Sequence, residues 1–203
     1  KRKNYIKFDL IKDDIKKIIS DKKIKKVIFL SAISNPEECE NNKKKSNLIN
    51  VIKTKEVMKY LIEKKIYFIF FSSEYVFDGK RGNYTESSHT KSKILYGRQK
   101  ILIEKFLKKK NGNFSIFRIG KTYGNLIDDK SIFSNFVKEL ISGKKKFKVA
   151  FDQKFSALHV LDLVNIIDFF IKKEFTGIFN VCGNECFTRY EYFERIINYL
   201  TEK

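Results

Sequence analysis

Tryptophan is absent from this chain, proline occurs once, as Pro36, and acidic residues are scarce beside basic ones. There are three cysteines, Cys39, Cys182 and Cys186. Their odd number and lack of zinc-ligand spacing exclude a disulfide scaffold or a zinc module, and a reducing cytoplasm is the simplest setting for them. No apolar run reaches the length of a membrane span, and no signal-type stretch follows the charged start of the chain. The two histidines, His89 and His159, have no metal-ligand partner at useful spacing, so structural roles are expected of both.

What is present is a chain of 203 residues with 42% hydrophobic content, 20 Phe and 10 Tyr. That is enough for a ring-rich core in one large domain or one and a half small ones, and it excludes general disorder. The formal charge is +19. The excess is mostly lysine and is scattered along the whole chain, where sequence-reading nucleic-acid interfaces favour arginine for its planar fork. Lysine, isoleucine, asparagine and phenylalanine together resemble a codon-composition bias. Nucleic acid is therefore an unlikely partner, although the field would attract phosphorylated ligands.

Apolar spacing alternates between helix and strand along the chain. Ile11, Ile15, Ile18 and Ile19 recur at helical spacing, and Val27 to Leu30 reads as a buried parallel strand. Helical spacing returns over Leu48 to Ile62, a strand over Tyr67 to Phe71, a helix over Tyr96 to Leu107 and a third strand over Phe114 to Phe117. Beyond these come helices at Ile132 to Ile141, Leu161 to Ile171 and Tyr190 to Leu200, and strands at Phe147 to Val149 and Ile178 to Val181. This order predicts an α/β fold with a parallel sheet and helices on both faces. Three strand ends offer small or polar residues: Ser31-Ala32, Ser72-Ser73 and Arg118-Ile119-Gly120. In open parallel sheets ligands bind at that carboxyl edge.

One constellation carries chemistry. Tyr96 and Lys100 lie four residues apart at a helix start, so phenol and ammonium point the same way. An ammonium near a phenol lowers its pKa and makes it a usable proton donor. A serine hydroxyl from Ser72-Ser73 could hold a carbonyl beside them. Together these groups suit the reduction of a ketone with a nicotinamide cofactor.

Ser72 to Gly79, Tyr84-Thr85-Glu86 and Leu95-Tyr96-Gly97-Arg98-Gln99-Lys100 resemble extended short-chain dehydrogenases/reductases, closest to the dTDP-4-dehydrorhamnose reductase group. Weaker matches follow in the same order: Phe8-Asp9-Leu10, Leu30-Ser31-Ala32, Ile49-Asn50-Val51, Phe117-Arg118-Ile119 through Tyr123-Gly124, Asp152-Gln153 and Leu161-Asp162-Leu163. The likeness covers nearly the whole chain, but the family's opening strand and Gly-x-x-Gly-x-x-Gly phosphate loop have no counterpart here. A fragment of a longer reductase is the simplest reading, with weak cofactor binding expected of the chain alone.

The resemblance implies a Rossmann-like cofactor domain over residues 1–124 and a mainly substrate-binding region over 125–203, with one strand at about 178–181 returning to the main sheet. It implies NADPH or NADH as cofactor, a nucleotide-linked 4-keto-deoxysugar as substrate, a role in dTDP-rhamnose biosynthesis and a possible homodimer. Tyr96 would be the general acid, Lys100 would hold the cofactor ribose, and Ser73 would donate to the developing oxyanion. Ser73, Glu74 and Tyr75 would contact and orient substrate, while Asp9, Leu30, Ser31, Ala32, Asn50, Tyr96 and Lys100 would line the cofactor. Asp9 serves equally as a helix N-cap, Asn50 either reaches the strand end by hydrogen bonding or is a buried helix asparagine with a local partner, and Arg118 is a phosphate or loop-carbonyl contact. One branch of the family, the regulatory subunit of methionine adenosyltransferase, keeps the Tyr-Val-Phe-Asp-Gly block while serving a partner protein. A non-catalytic regulatory module is therefore the alternative.

Overall fold

The computed structural model describes residues 5–202. Two compact units divide the chain: residues up to Arg118 together with Ile171–Phe179, and Ile119–Phe170 together with residues from Asn180 on. In the first unit α1 (Ile15–Asp21) leads to β1 (Lys26–Phe29) and α2 (Pro36–Asn41). One helical stretch follows, made of α3 (Lys43–Asn47), a π-helical segment (Leu48–Lys53) and α4 (Thr54–Glu63). Then β2 (Tyr67–Ser73) enters a 3-10 turn (Glu74–Val76), and a long loop precedes α5 (Leu95–Lys108) and β3 (Phe114–Ile119). The second unit contains β4 (Thr122–Tyr123), α6 (Ile132–Ile141), β5 (Lys154–Phe155), β6 (Leu158–His159) and most of α7 (Val160–Lys173). After β7 (Gly177–Val181) come β8 (Phe187–Thr188) and α8 (Arg189–Thr201).

The main sheet has the order β1-β2-β3-β7. β1 and β2 pair in parallel from Lys26↔Tyr67 to Phe29↔Phe70. The apolar run of β2 is buried because alternate side chains face opposite sides of the sheet. Phe68 and Phe70 point into one cluster with Phe29, Phe114 and Ile116 of the sheet and Ile19, Val57, Met58, Leu61, Ile103 and Leu107 of the helices. Phe68 and Phe114 stack with ring centroids 5.1 Å apart. The parallel α/β architecture expected from the sequence is the one observed, and helices flank the sheet. Its β1 edge leaves Ile28 and Leu30 exposed.

Two local expectations need correction. Asp9 does not cap a helix: α1 starts at Asp14, whose carboxylate accepts from Lys16 N, while Asp9 Oδ1 accepts from Ile11 N and Lys12 N in a separate turn. An aspartate side chain competes with helix for nearby backbone donors, and here the turn wins. Phe147 to Val149 forms no strand. Phe147 instead packs its ring edge-on against Phe136 of α6 at 4.8 Å, and Phe136 stacks on Phe193 of α8 at 3.8 Å. Side-chain burial, not ladder pairing, holds that segment. α8 begins with a capping box between Thr188 and Glu191.

Phe68 is fully buried, so Phe68→Ala should destabilise the first unit by about 3–5 kcal/mol, read as a lower denaturant midpoint.

Candidate active site

The end of β2 carries two serines with different duties. Ser72 Oγ donates to Glu104 Oε1 at 2.6 Å inside the protein. Ser73, one residue on, faces the other way and opens the 3-10 turn, its Oγ accepting from Tyr75 N at 3.3 Å. Among the described residues the Ser73 hydroxyl hydrogen has no acceptor, so its donor is unspent. Glu74 and Tyr75 lie half-buried in the turn that Ser73 caps.

Helix α5 brings Tyr96 and Lys100 to this place. Its N-cap residue, Ile94, provides no side-chain cap; Glu40 of α2 accepts from Leu95 N at 3.0 Å instead. Gly97 lets the helix press against the 3-10 turn, since a Cβ there would lie 2.1 Å from both the Tyr75 carbonyl and Ser92 Oγ. The rings of Tyr75 and Tyr96 meet edge to face at 6.2 Å. Lys100 is buried, donates to the Phe71 carbonyl at 2.7 Å, and holds its ammonium 4.9 Å from the Phe70 ring and 5.5 Å from the Tyr96 ring. Phe71 O is its single hydrogen-bond acceptor among the described residues.

The electrostatics differ from the sequence reading. Burial pushes the Tyr96 phenol up to about 12, with Cys39 and Tyr75 adding to the rise, and no lowering by Lys100 offsets it. The ammonium is drawn to the Phe71 carbonyl and the ring faces. Desolvation lowers Lys100 to about 8, opposed by Cys39 and Glu104.

The turn after β1 is built from beneath. Asn50, carried by the π-helical segment, accepts from Ile33 N at 2.8 Å and donates to Ile33 O at 2.9 Å and to Gln99 Oε1 at 2.8 Å. Gln99 in turn donates to Ser46 Oγ at 3.0 Å. Asn50 thus reaches the turn beyond the end of β1 by hydrogen bonding and not a local partner, since Ile33 lies 17 residues and Gln99 49 residues away in sequence. Leu30 and Ser31 are exposed and Ala32 is half-buried at that turn. Asp9 is occupied in its own turn.

Arg118 contacts a loop carbonyl: it donates to Glu86 O at 3.1 Å, grips Glu104 through Nε and Nη2, and lies 5.1 Å from the Phe77 ring. His159 bonds Asn125 Oδ1 at 2.9 Å and packs on Tyr123, a structural place. Sequence reasoning missed Glu40, Gln99 and Glu104. The signal for Glu104 is its position four residues after Lys100, which puts a carboxylate on the same helix stripe.

These features, a parallel sheet with hydroxyl, phenol and ammonium groups near its carboxyl edge, define the fold class of extended short-chain dehydrogenases/reductases. The chain belongs to the RmlD substrate binding domain family, whose profile matches residues 7–203. It is 27% identical over 184 residues to "Methionine adenosyltransferase 2 subunit beta" of Xenopus laevis, covering 87% of this chain and 55% of that protein. The chain thus spans about half the length of the curated relatives it matches. Among solved structures, a hypothetical dTDP-4-dehydrorhamnose reductase from Sulfolobus tokodaii superposes with a TM-score of 0.84 at 27% identity, covering 95% of this chain and 68% of that one. The dTDP-4-dehydrorhamnose reductase of Bacillus anthracis, solved in complex with NADP, gives 0.83 at 22% identity, covering 91% of this chain and 65% of that one. No described helix is long and apolar enough to cross a membrane.

Two outcomes follow from this packing. Gly97→Ala should destabilise the first unit by about 1–3 kcal/mol, because the Tyr75 carbonyl is backbone and Ser92 Cβ also lies only 2.7 Å from the added methyl, and a thermal melt would show it. Lys100 titrates lower in the folded than in the unfolded state, so its burial cost is fully present below pH 8 and fades as pH rises towards 10.5. Stability relative to Lys100→Met should therefore increase between pH 8 and 10, by at most about 1.4 kcal/mol per pH unit. Tyr96 has the opposite sign, losing stability only between pH 10 and 12. Denaturant titrations at pH 7, 8, 9 and 10 measure the difference.

Proposed function

We propose that this chain is the core of an NAD(P)H-dependent reductase acting on the 4-keto group of a nucleotide-linked deoxysugar, in the manner of dTDP-4-dehydrorhamnose reductase. The observation that carries this reading is a buried ammonium with unspent donors set against the Tyr96 ring at the end of the strand that carries Ser73. NADP in the Bacillus anthracis relative supports the cofactor assignment.

The residues present fit the nicotinamide-ribose end of such a cofactor. Lys100 has N–H groups left for ribose hydroxyls, and Ser31 and Ala32 let a ligand approach the backbone after β1. A pyrophosphate needs backbone N–H groups at a helix N-terminus, and this sequence contains no Gly-x-x-Gly-x-x-Gly loop to present them. When bound, the cofactor supplies hydride.

The protein's own part is proton supply and orientation. Tyr96 gives its phenolic proton to the substrate oxygen. A phenol held near 12 by burial stays protonated throughout the neutral range and needs a nearby cation to release its proton easily. Lys100 is the ammonium available for that, once a ligand draws it towards the phenol. Ser73 offers its free hydroxyl hydrogen to the same oxygen. Glu74 and Tyr75 orient the sugar from the adjoining turn.

A second reading is supported by those curated relatives that are β subunits of methionine adenosyltransferase 2, whereas another, of Haloferax volcanii, is a probable glycan biosynthesis reductase. There the same fold would bind a nucleotide and serve a partner protein without chemistry. The two separate on Tyr96. In the protein expressed from its full reading frame, Tyr96→Phe should lower kcat for a dTDP-4-dehydro-sugar by about 100-fold or more while leaving NADPH affinity within about threefold. Unchanged turnover removes the proposed acid. Tight association with a second protein, with no NADPH oxidation by any sugar nucleotide, selects the regulatory reading.

A further inference from the structure

Tyr96, Lys100 and Glu104 follow one another at four-residue steps, so a carboxylate stands one turn beyond the ammonium on the same stripe of α5. Glu104 and Lys100 are both buried, 1% and 5% exposed. An ion pair between them would be the ordinary outcome, since a buried carboxylate demands a cation. No such pair exists among the described residues.

Other partners fill the Glu104 oxygens. Oε1 accepts from Ser72 Oγ at 2.6 Å and from Arg118 Nε at 3.1 Å, and Oε2 accepts from Arg118 Nη2 at 2.7 Å. Arg118 is itself buried and fixed from three directions: the carboxylate, the Glu86 carbonyl and the Phe77 ring. A planar fork held this way saturates a carboxylate as a single ammonium cannot.

We infer that Arg118 is a positioning residue that keeps the Glu104 carboxylate off Lys100, so that the lysine ammonium retains donors for a ligand at the strand ends. The same contacts tie the end of β2, helix α5 and the loop after Tyr75 together, because Ser72, Glu104, Phe77 and Glu86 all converge on this pair. The consequence for ligand binding rests on the cofactor role given to Lys100 above. The statement about Lys100 itself does not.

The groups facing Lys100 are Glu104 and Tyr96 of its own helix, Cys39 of α2, and the Phe70 ring and Phe71 carbonyl of β2. Of these, Glu104 is the one whose freedom changes when Arg118 is altered. The test is the titration of the Lys100 side chain in this chain, followed by NMR on lysine labelled at the ε carbon and assigned with Lys100→Met. In Arg118→Met the released carboxylate should pair with Lys100 and raise its titration midpoint by about one pH unit or more. Arg118→Lys keeps the charge but loses the fork, and should give a smaller rise. Glu104→Met combined with Arg118→Met removes the carboxylate and should abolish the rise.

A general loss of packing does not predict this order, because loosening would move all three variants in the same direction. If Arg118→Met fails to fold, the Arg118→Lys midpoint decides. A midpoint unchanged or lowered in Arg118→Lys, or a rise that persists in the double variant, overturns the inference. NADPH affinity is measured alongside in the same variants of the protein expressed from its full reading frame, since only weak cofactor binding is expected of this chain alone. A shifted midpoint with NADPH binding undetectable in every form, the wild type included, upholds the role of Arg118 and sinks the cofactor reading instead.

Discussion

Burial of one ammonium organises the first unit. Lys100 leaves water for a place between two aromatic rings and a strand-end carbonyl, and that burial lowers its proton affinity from 10.5 to about 8. The position holds only because neighbouring polar groups are satisfied elsewhere. Asn50, Gln99 and Ser46 bond one another and the turn at Ile33, while Glu104, Ser72 and Arg118 form a closed set on the other side. Polar networks inside a protein hold their shape when every member is satisfied. Here both networks are nearly closed, and the spare donors collect on Ser73 and Lys100.

The helix that carries the site is also held from outside itself. α5 has no capping side chain of its own, and Glu40 from α2 completes its start. Its second contact is steric: the bare Cα of Gly97 lies against the turn that bears Glu74 and Tyr75. Tyr96, between cap and contact, therefore has its direction set by two elements that are far away in sequence. Rigid support of this kind is what orientation-dependent proton transfer requires.

Much of the fold was legible because strong periodicity marks it. The runs at Tyr67 to Phe71 and Ile132 to Ile141 were readable as strand and helix, and α6 occupies the expected span residue for residue. The strand ends could be located from the same runs, and with them the places of Ser73, Ala32 and Arg118. What escaped was tertiary. α2 is six residues long and leaves too short a pattern to read. The two-residue strands of the second unit exist only as pairings, and Phe147 to Val149 looked like a strand until Phe136 offered it a ring. Lysine was the hardest residue to read. The chain carries 43 lysines and arginines, and among the described residues only Lys100 and Arg118 are buried. Composition hides them, and only their distance from a strand end singles them out.

The cost of burying Lys100 bears on what the site is for. A shift from 10.5 to about 8 corresponds to roughly 3 kcal/mol of unfavourable burial at neutral pH. The fold sets against it one hydrogen bond and two ring faces. A group kept at a net cost to stability at the edge of a parallel sheet is a mark of ligand use. Both functional readings share that ligand. They part at Tyr96, whose buried phenol makes no hydrogen bond among the described residues and packs against Tyr75 and the lysine ammonium. A nucleotide held for shape alone has no need of a protonated phenol beside it, so the placement of Tyr96 weighs towards chemistry.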